Sequence, residues 1–204
     1  WFRINLNPGF AGQLTITDAV IIDGYSQTGA TQNTLAVGQN ATLRIELTST
    51  GADAHNGLDF WASADGSTVR GLAINRFGYE GIFTAPGANG ITIQGNFIGT
   101  DITGTVNLGN SDAGIHLRSS NNLVGGPNPA DRNIVSGSNS RGVQTYTFGP
   151  TETGNVVQNN YIGVDATGVR GLGNNLAGVQ VGNQAGMQIL NNVISGNQTE
   201  GVWL

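Results

Sequence analysis

Gln94–Leu117, QGNFIGTDITGTVNLGNSDAGIHL, returns 64 residues later as Gln158–Val181, QNNYIGVDATGVRGLGNNLAGVQV. Aligned without gaps, 12 of the 24 positions are identical, and Phe97/Tyr161, Ile115/Val179 and Leu117/Val181 are like for like. Two copies of one unit in one chain mean an array, and residues that recur in an array are first of all there to stack.

The last coil states the rule in its shortest form. Met187–Asn191 (MQILN), Asn192–Asn197 (NVISGN) and Gly201–Leu204 (GVWL) are three short segments separated by turns. The trio recurs upstream. It ends on Gly178–Val181 after Gly154–Val164, on Gly142–Thr145 after Asn121–Ser138, on Gly114–Leu117 after Gly90–Thr100, and on Gly81–Thr84 after Ser67–Phe77. Val20–Gly24, Leu43–Leu47 and Gly57–Trp61 fit as a less regular coil, preceded by Trp1–Leu6 and Leu14–Thr17. The glycines that open the third segments, Gly57, Gly81, Gly114, Gly142, Gly178 and Gly201, lie 23 to 36 residues apart. A constant core of variable length implies insertions that bulge as loops.

The segments are short, rich in β-branched residues and bounded by Gly and Asn, with apolar residues alternating as in Ile91/Ile93, Ile115/Leu117 and Val179/Val181. These are strand signals, and no longer window carries helical periodicity. Stacked coils pair each strand in parallel with its equivalents, about 4.8 Å away, and parallel connections are right-handed. The expected fold is all-β: a right-handed parallel β-helix with three short strands per coil. Residues 1–204 are expected to form one such domain cut from a longer chain, with 1–66 as less regular coils and 67–204 as five regular ones. Coil alignment puts Asn96, Asn133, Asn160 and Asn192 at one corner, with Leu72 departing. Stacked Asn side chains can bond along a column as a ladder, and Asn tolerates the left-handed backbone that a corner needs.

Composition narrows the function classes. The 33 glycines come without a period of three, and with 38% hydrophobic and 10% charged residues they exclude collagen and charge-rich disorder. There is no cysteine, hence no disulfide, zinc–thiolate site or thiol nucleophile. All eight positive charges are dispersed Arg and the net charge is −5, which argues against a nucleic-acid partner. No apolar run approaches the length of a membrane span.

The run N-x-I-S-G-N-x-x-x-G-V at Asn192–Val202 resembles the repeats of the pectate-lyase-like superfamily of secreted bacterial proteins. Gly99–Thr105 (GTDITGT) and Leu108–Asn110 (LGN) resemble runs in large repetitive bacterial surface or secreted proteins of that group. The resemblance covers residues 67–204 best and implies an extracellular or cell-surface location. The superfamily contains lyases, hydrolases, epimerases, tailspikes and adhesin-like domains, so the resemblance speaks to fold more than to chemistry.

Glycan-cleaving members need acids placed together. The Asn-Thr-Asp, Asp-Asp and Gly-His-Gly runs expected of polygalacturonase-like enzymes are missing, as is Asp-Pro-His-Glu. The outward first-segment column reads Arg70, Gln94, Val124, Gln158 and Leu190, without an acid. No catalytic residue and no cofactor or metal ligand is therefore assigned. Asp101 and Asp165 open Asp-x-Thr-Gly turns, where an Asp caps its own turn; a calcium site needs more oxygens than one carboxylate brings. His116 reads as a lone surface His without a neighbouring acid, and Arg44 and Glu46 as a solvated pair on one strand face. The outward third-segment column, Asp59, Phe83, His116, Gln144, Gln180 and Trp203, combines aromatics, amides and an acid, which suits stacking on and bonding to a glycan. The expected role is a non-catalytic structural, adhesive or assembly module with a glycan or protein partner. The alternatives are a polysaccharide lyase or hydrolase and a subunit that docks through its coil ends into a filament or larger complex.

Overall fold

The computed structural model describes residues 1–6, 14–50, 54–146 and 151–204. It is all-β, with two short 3-10 turns as its only helical elements among the described residues. The chain visits three parallel sheets in turn, as expected of a parallel β-solenoid. The first contains Ile21–Asp23, Thr68–Arg70, Thr92–Gln94, Leu123–Gly125, Val156–Gln158 and Gln188–Leu190. The second contains Phe2–Leu6, Ile45–Ser49, Leu72–Asn75, Phe97–Ile98, Ile134–Val135, Tyr161–Ile162 and Val193–Ile194. The third contains Thr15–Ile16, Leu58–Phe60, Ile82–Thr84, Ile115–Leu117, Val143–Gln144, Val179–Gln180 and Val202–Trp203.

The alternation of the strands sends one set of side chains into the space between the sheets. Val69, Ile93, Val124 and Val157 from the first sheet meet Ile74, Ile98, Val135 and Ile162 from the second and Ile82, Ile115, Val143 and Val179 from the third. All twelve are fully buried. Burial of such aliphatics, about 1.5–3 kcal/mol each, is the main drive for stacking.

The corners carry the polar half of the interior. Between the first and second sheets, Oδ1 of Asn96, Asn133, Asn160 and Asn192 accepts from the backbone N–H of Leu72, Asn96, Asn133 and Asn160 at 2.8–3.2 Å. Each Nδ2 donates to a carbonyl in the preceding coil, that of Val69, Ile93, Val124 or Val157, at 2.8–3.0 Å. The left-handed backbone sits one residue before the ladder position at Gly71, ahead of Leu72, and at Gly95, Asn159 and Asn191 (φ +55° to +74°), while Arg132, ahead of Asn133, is extended (φ −61°). This corrects the assignment of that geometry to the ladder residues: the bonding amide needs ordinary backbone, and the turn is made just ahead of it. The other two corners repeat the device. Asn110, Asn174 and Asn197 accept from Phe77, Ser138 and Asn174 N–H. Asn122 and Asn155 accept from Ile91 and Asn122 N–H.

The outer face of the second sheet is not bare. Ala73, Phe97, Ile134 and Tyr161 stand in register on it and form a second apolar cluster with Leu43, Val164 and Ala166. The loops from the repeated stretch cover it, with Ala166 N–H donating to Gly104 O at 2.9 Å across the coil that lacks such a loop. Each loop leaves its strand at a left-handed glycine, Gly99 (φ +81°) or Gly163 (φ +85°), where a Cβ would overlap the carbonyl of Ser136 or Ser195. Residues 24–44 run across the coils as a strap. The Tyr25 hydroxyl donates to Gly95 O at 2.8 Å and Gly38 N–H to the Tyr161 hydroxyl at 2.7 Å. The buried Arg132 guanidinium lies 4.5 Å from the Tyr161 ring centre and donates to Leu35, Ala36 and Gly38 carbonyls.

Asn160→Ala removes an acceptor and a donor from a fully buried corner and leaves the Asn133 N–H and the Val124 carbonyl unmet. Each unmet group costs about 1–3 kcal/mol. Chemical denaturation is expected to register a loss of at least 2 kcal/mol (~2 kcal/mol from two such groups), whereas an exposed control such as Asn175→Ala changes little.

Candidate functional site

Strand register places Asp59, Phe83, His116, Gln144, Gln180 and Trp203 side by side along the outer face of the third sheet. Their exposure differs sharply. Asp59 and Gln180 are buried at 2% and 8%, Phe83, His116 and Gln144 are half-buried, and Trp203 is 47% exposed. A ligand on this face therefore meets the middle and the Trp203 end, not the Asp59 carboxylate.

His116 is not a lone histidine. Its Nδ1 lies 2.8 Å from Oε1 of Glu80, which sits in the turn just before Ile82–Thr84, and its Nε2 lies 2.9 Å from the Tyr146 carbonyl. The Phe83 ring meets the imidazole edge-on at 5.4 Å. The solenoid is what joins them: Glu80 immediately precedes the Gly81 that opens one third segment, and His116 follows Gly114 of the next. Asp59 completes an acidic neighbourhood. Burial pushes its carboxyl above the ordinary value of 3.8 and the Glu80 charge adds to this, while hydrogen bonds from Trp61 and Asn56 oppose it. Its Oδ1 is shielded and has no hydrogen-bond partner.

Toward the Trp203 end the face opens into a groove of about 630 Å³ lined by Arg141, Gln144, Tyr146, Gln180 and Trp203. The Arg141 guanidinium lies 5.7 Å from the Trp203 ring centre. The Tyr146 ring packs on Gly182, where any Cβ would run into it. A smaller cleft of about 270 Å³ lies on the other side of Arg141 and Trp203, bounded by Leu176, Thr199 and Glu200.

Other candidates resolve differently. Val124 points into the core, and Gly125 takes the outward position between Gln94 and Gln158. The same column extends to Asp23, which pairs with Arg70 at 2.7 Å, so it does hold an acid. The Arg70 hydrogen bond keeps the Asp23 carboxyl below the usual carboxylate range. Arg44 and Glu46 do not form a pair. Arg44 Nε donates to Gly29 O, while Glu46, 1% exposed, accepts from Trp1 Nε1, Arg3 Nε and Asn75 Nδ2. Asp101 Oδ1 accepts from Thr105 and Val106 N–H, and Asp165 Oδ1 from Thr167 and Arg170 N–H, so both close their own loops. Among the described residues no group of three or more His, Cys, Asp or Glu is placed to hold a metal ion.

No protein-family model matches the chain, and comparison with curated proteins and with solved structures finds no match. The protein is all-β, with its short strands paired in parallel sheets.

Because the folded Asp59 carboxyl titrates above its ordinary value, the stability it contributes is present below about pH 4 and is lost as pH rises through the folded value. Asp59→Asn is therefore expected to melt higher than the natural protein at pH 7, with the difference closing as the pH approaches 4. A difference that widened on acidification would contradict burial as the cause of the shift.

Proposed function

We propose that this chain is a right-handed β-helix module of an extracellular or cell-surface protein, a non-catalytic structural or adhesive element that holds a glycan on the outer face of its third sheet. The observation that carries this is the groove beside Trp203. It joins a half-exposed indole to the amides of Gln144 and Gln180 and to the Arg141 guanidinium. Sugar rings present an apolar face that stacks on an aromatic ring and hydroxyls that both donate and accept. A strand ladder repeats every ~4.8 Å, so an extended chain lying along the sheet meets one outward side chain per coil.

A glycan array is the direct measurement. Binding is expected, with Trp203→Ala weakening it about tenfold, the effect of losing about 1.4 kcal/mol, and Phe83→Ala weakening it less. Binding indifferent to Trp203 would remove the groove from the proposal. A second reading, a glycan-cleaving enzyme, draws on the contact of His116 with the Glu80 carboxyl group in the middle of the face. Incubation with acidic and neutral polysaccharides tests it, and new reducing or unsaturated ends would displace the non-catalytic reading.

A further inference from the structure

Two of the outward aromatics on the third sheet carry an arginine over their rings. The Arg118 guanidinium lies 6.0 Å from the centre of the Phe83 ring, and that of Arg141 lies 5.7 Å from the centre of the Trp203 ring. Arg118 follows Ile115–Leu117 and Arg141 comes just before Val143–Gln144, so they flank neighbouring strands at opposite ends. Their heads diverge along the stack, Arg118 reaching one coil back and Arg141 two coils on. From Phe83 the register runs through His116, Gln144 and Gln180 to Trp203, four steps of ~4.8 Å or roughly 19 Å in all.

Neither guanidinium is paired with an acid. Among the described residues the arginine ion pairs are those of Arg3 with Glu46 and Arg70 with Asp23. Glu80 is engaged by His116, and Glu200, which borders the smaller cleft beside Arg141, forms no ion pair with it. Arg141 Nη1 donates to Ser140 Oγ at 3.1 Å, and Nε of both arginines is shielded without a partner. Gln180, 8% exposed, lines the groove with its Oε1 likewise unmet. A guanidinium carries five donors, accepts nothing and keeps its charge. Stacked on a ring, it is held by its flat face while the N–H groups at its edge stay free to bond. What these two lack is a negatively charged acceptor.

We propose that the ligand of this face is an anionic glycan, a chain of sugars bearing carboxylate or sulfate groups, with one acid group at Arg141 and another at Arg118. This rests on the glycan reading above and narrows it to acidic chains. The planar fork of Arg141 matches the two oxygens of a carboxylate, and the indole beside it takes the apolar face of the same sugar. An extended chain along the sheet then brings a second acid group to the Phe83 end. The net charge of −5 opposes such a ligand from a distance. Salt screens that repulsion beyond about 8 Å at physiological ionic strength, whereas a pair in contact is screened much less.

Calorimetric titration with oligouronates, sulfated galactan oligomers and uncharged galactan oligomers of matched length is the test. At least one acidic series is expected to bind about tenfold tighter than the uncharged one, the ratio that one charge-assisted hydrogen bond sets. The comparison of the two acidic series identifies the group. Added salt should narrow the ratio, and Arg141→Gln should bring the acidic and uncharged affinities together. Oligomers long enough to span the four coil steps should bind tighter still, and Arg118→Gln should remove that gain. Thermal unfolding of each variant shows that it is folded. Equal affinity for acidic and uncharged oligomers, or an acid preference that survives in the Arg118→Gln, Arg141→Gln double variant, would overturn the proposal and leave the glycan reading standing. Binding of no oligomer of any series would remove both.

Discussion

A coil of three short strands must turn three corners, and every corner leaves backbone groups that water cannot reach once another coil lies on either side. The buried side-chain amide is the answer at each corner. One residue accepts from an N–H and donates to a carbonyl of the preceding coil, so a single Asn meets two backbone groups and links adjacent coils. Asn133 does this while fully buried, accepting from Asn96 N–H and donating to the Ile93 carbonyl. The aliphatic interior supplies most of the attraction, but it is non-directional. The amide columns are what hold one coil in register with the next.

With the corners met, the loops between segments are free to vary, and the chain uses them to cover its second sheet. Residues 24–44 reach Tyr161, far along the sequence, because coils a few strands apart lie only ~4.8 Å per step along the axis. The Arg132 guanidinium holds this strap through main-chain carbonyls, which need no complementary side chain and leave no trace in the sequence of the strap. Among the described residues no comparable strap crosses the third sheet at Trp203, and there a groove is open.

Strand identity, parallel stacking and the equivalence of Asn96, Asn133, Asn160 and Asn192 are legible because they recur at the coil period. The columns through Asn110, Asn174 and Asn197 and through Asn122 and Asn155 recur less evenly. Ser138 replaces Asn at one position of the former, and insertions of different length blur the spacing of both. Of the outward column on the third sheet, the order is readable and the exposure is not. Asp59 and Gln180 look as accessible as Trp203 in a list of alternating residues, yet they are buried. The Glu80–His116 contact is invisible to strand alternation because Glu80 lies in a turn ahead of Ile82–Thr84.

By itself, the sequence determined the coil: its strands, its inward aliphatics and its glycine punctuation, all of which are local patterns repeated until they stand out. The tertiary structure alone decided which polar groups meet between coils. Glu80 with His116, Asp23 with Arg70, and Arg132 with the strap each join residues separated by a variable insertion. Hydrogen bonds of this kind depend on angstrom-level placement after stacking. A period with unequal loops specifies the stack but not which side chain arrives opposite which.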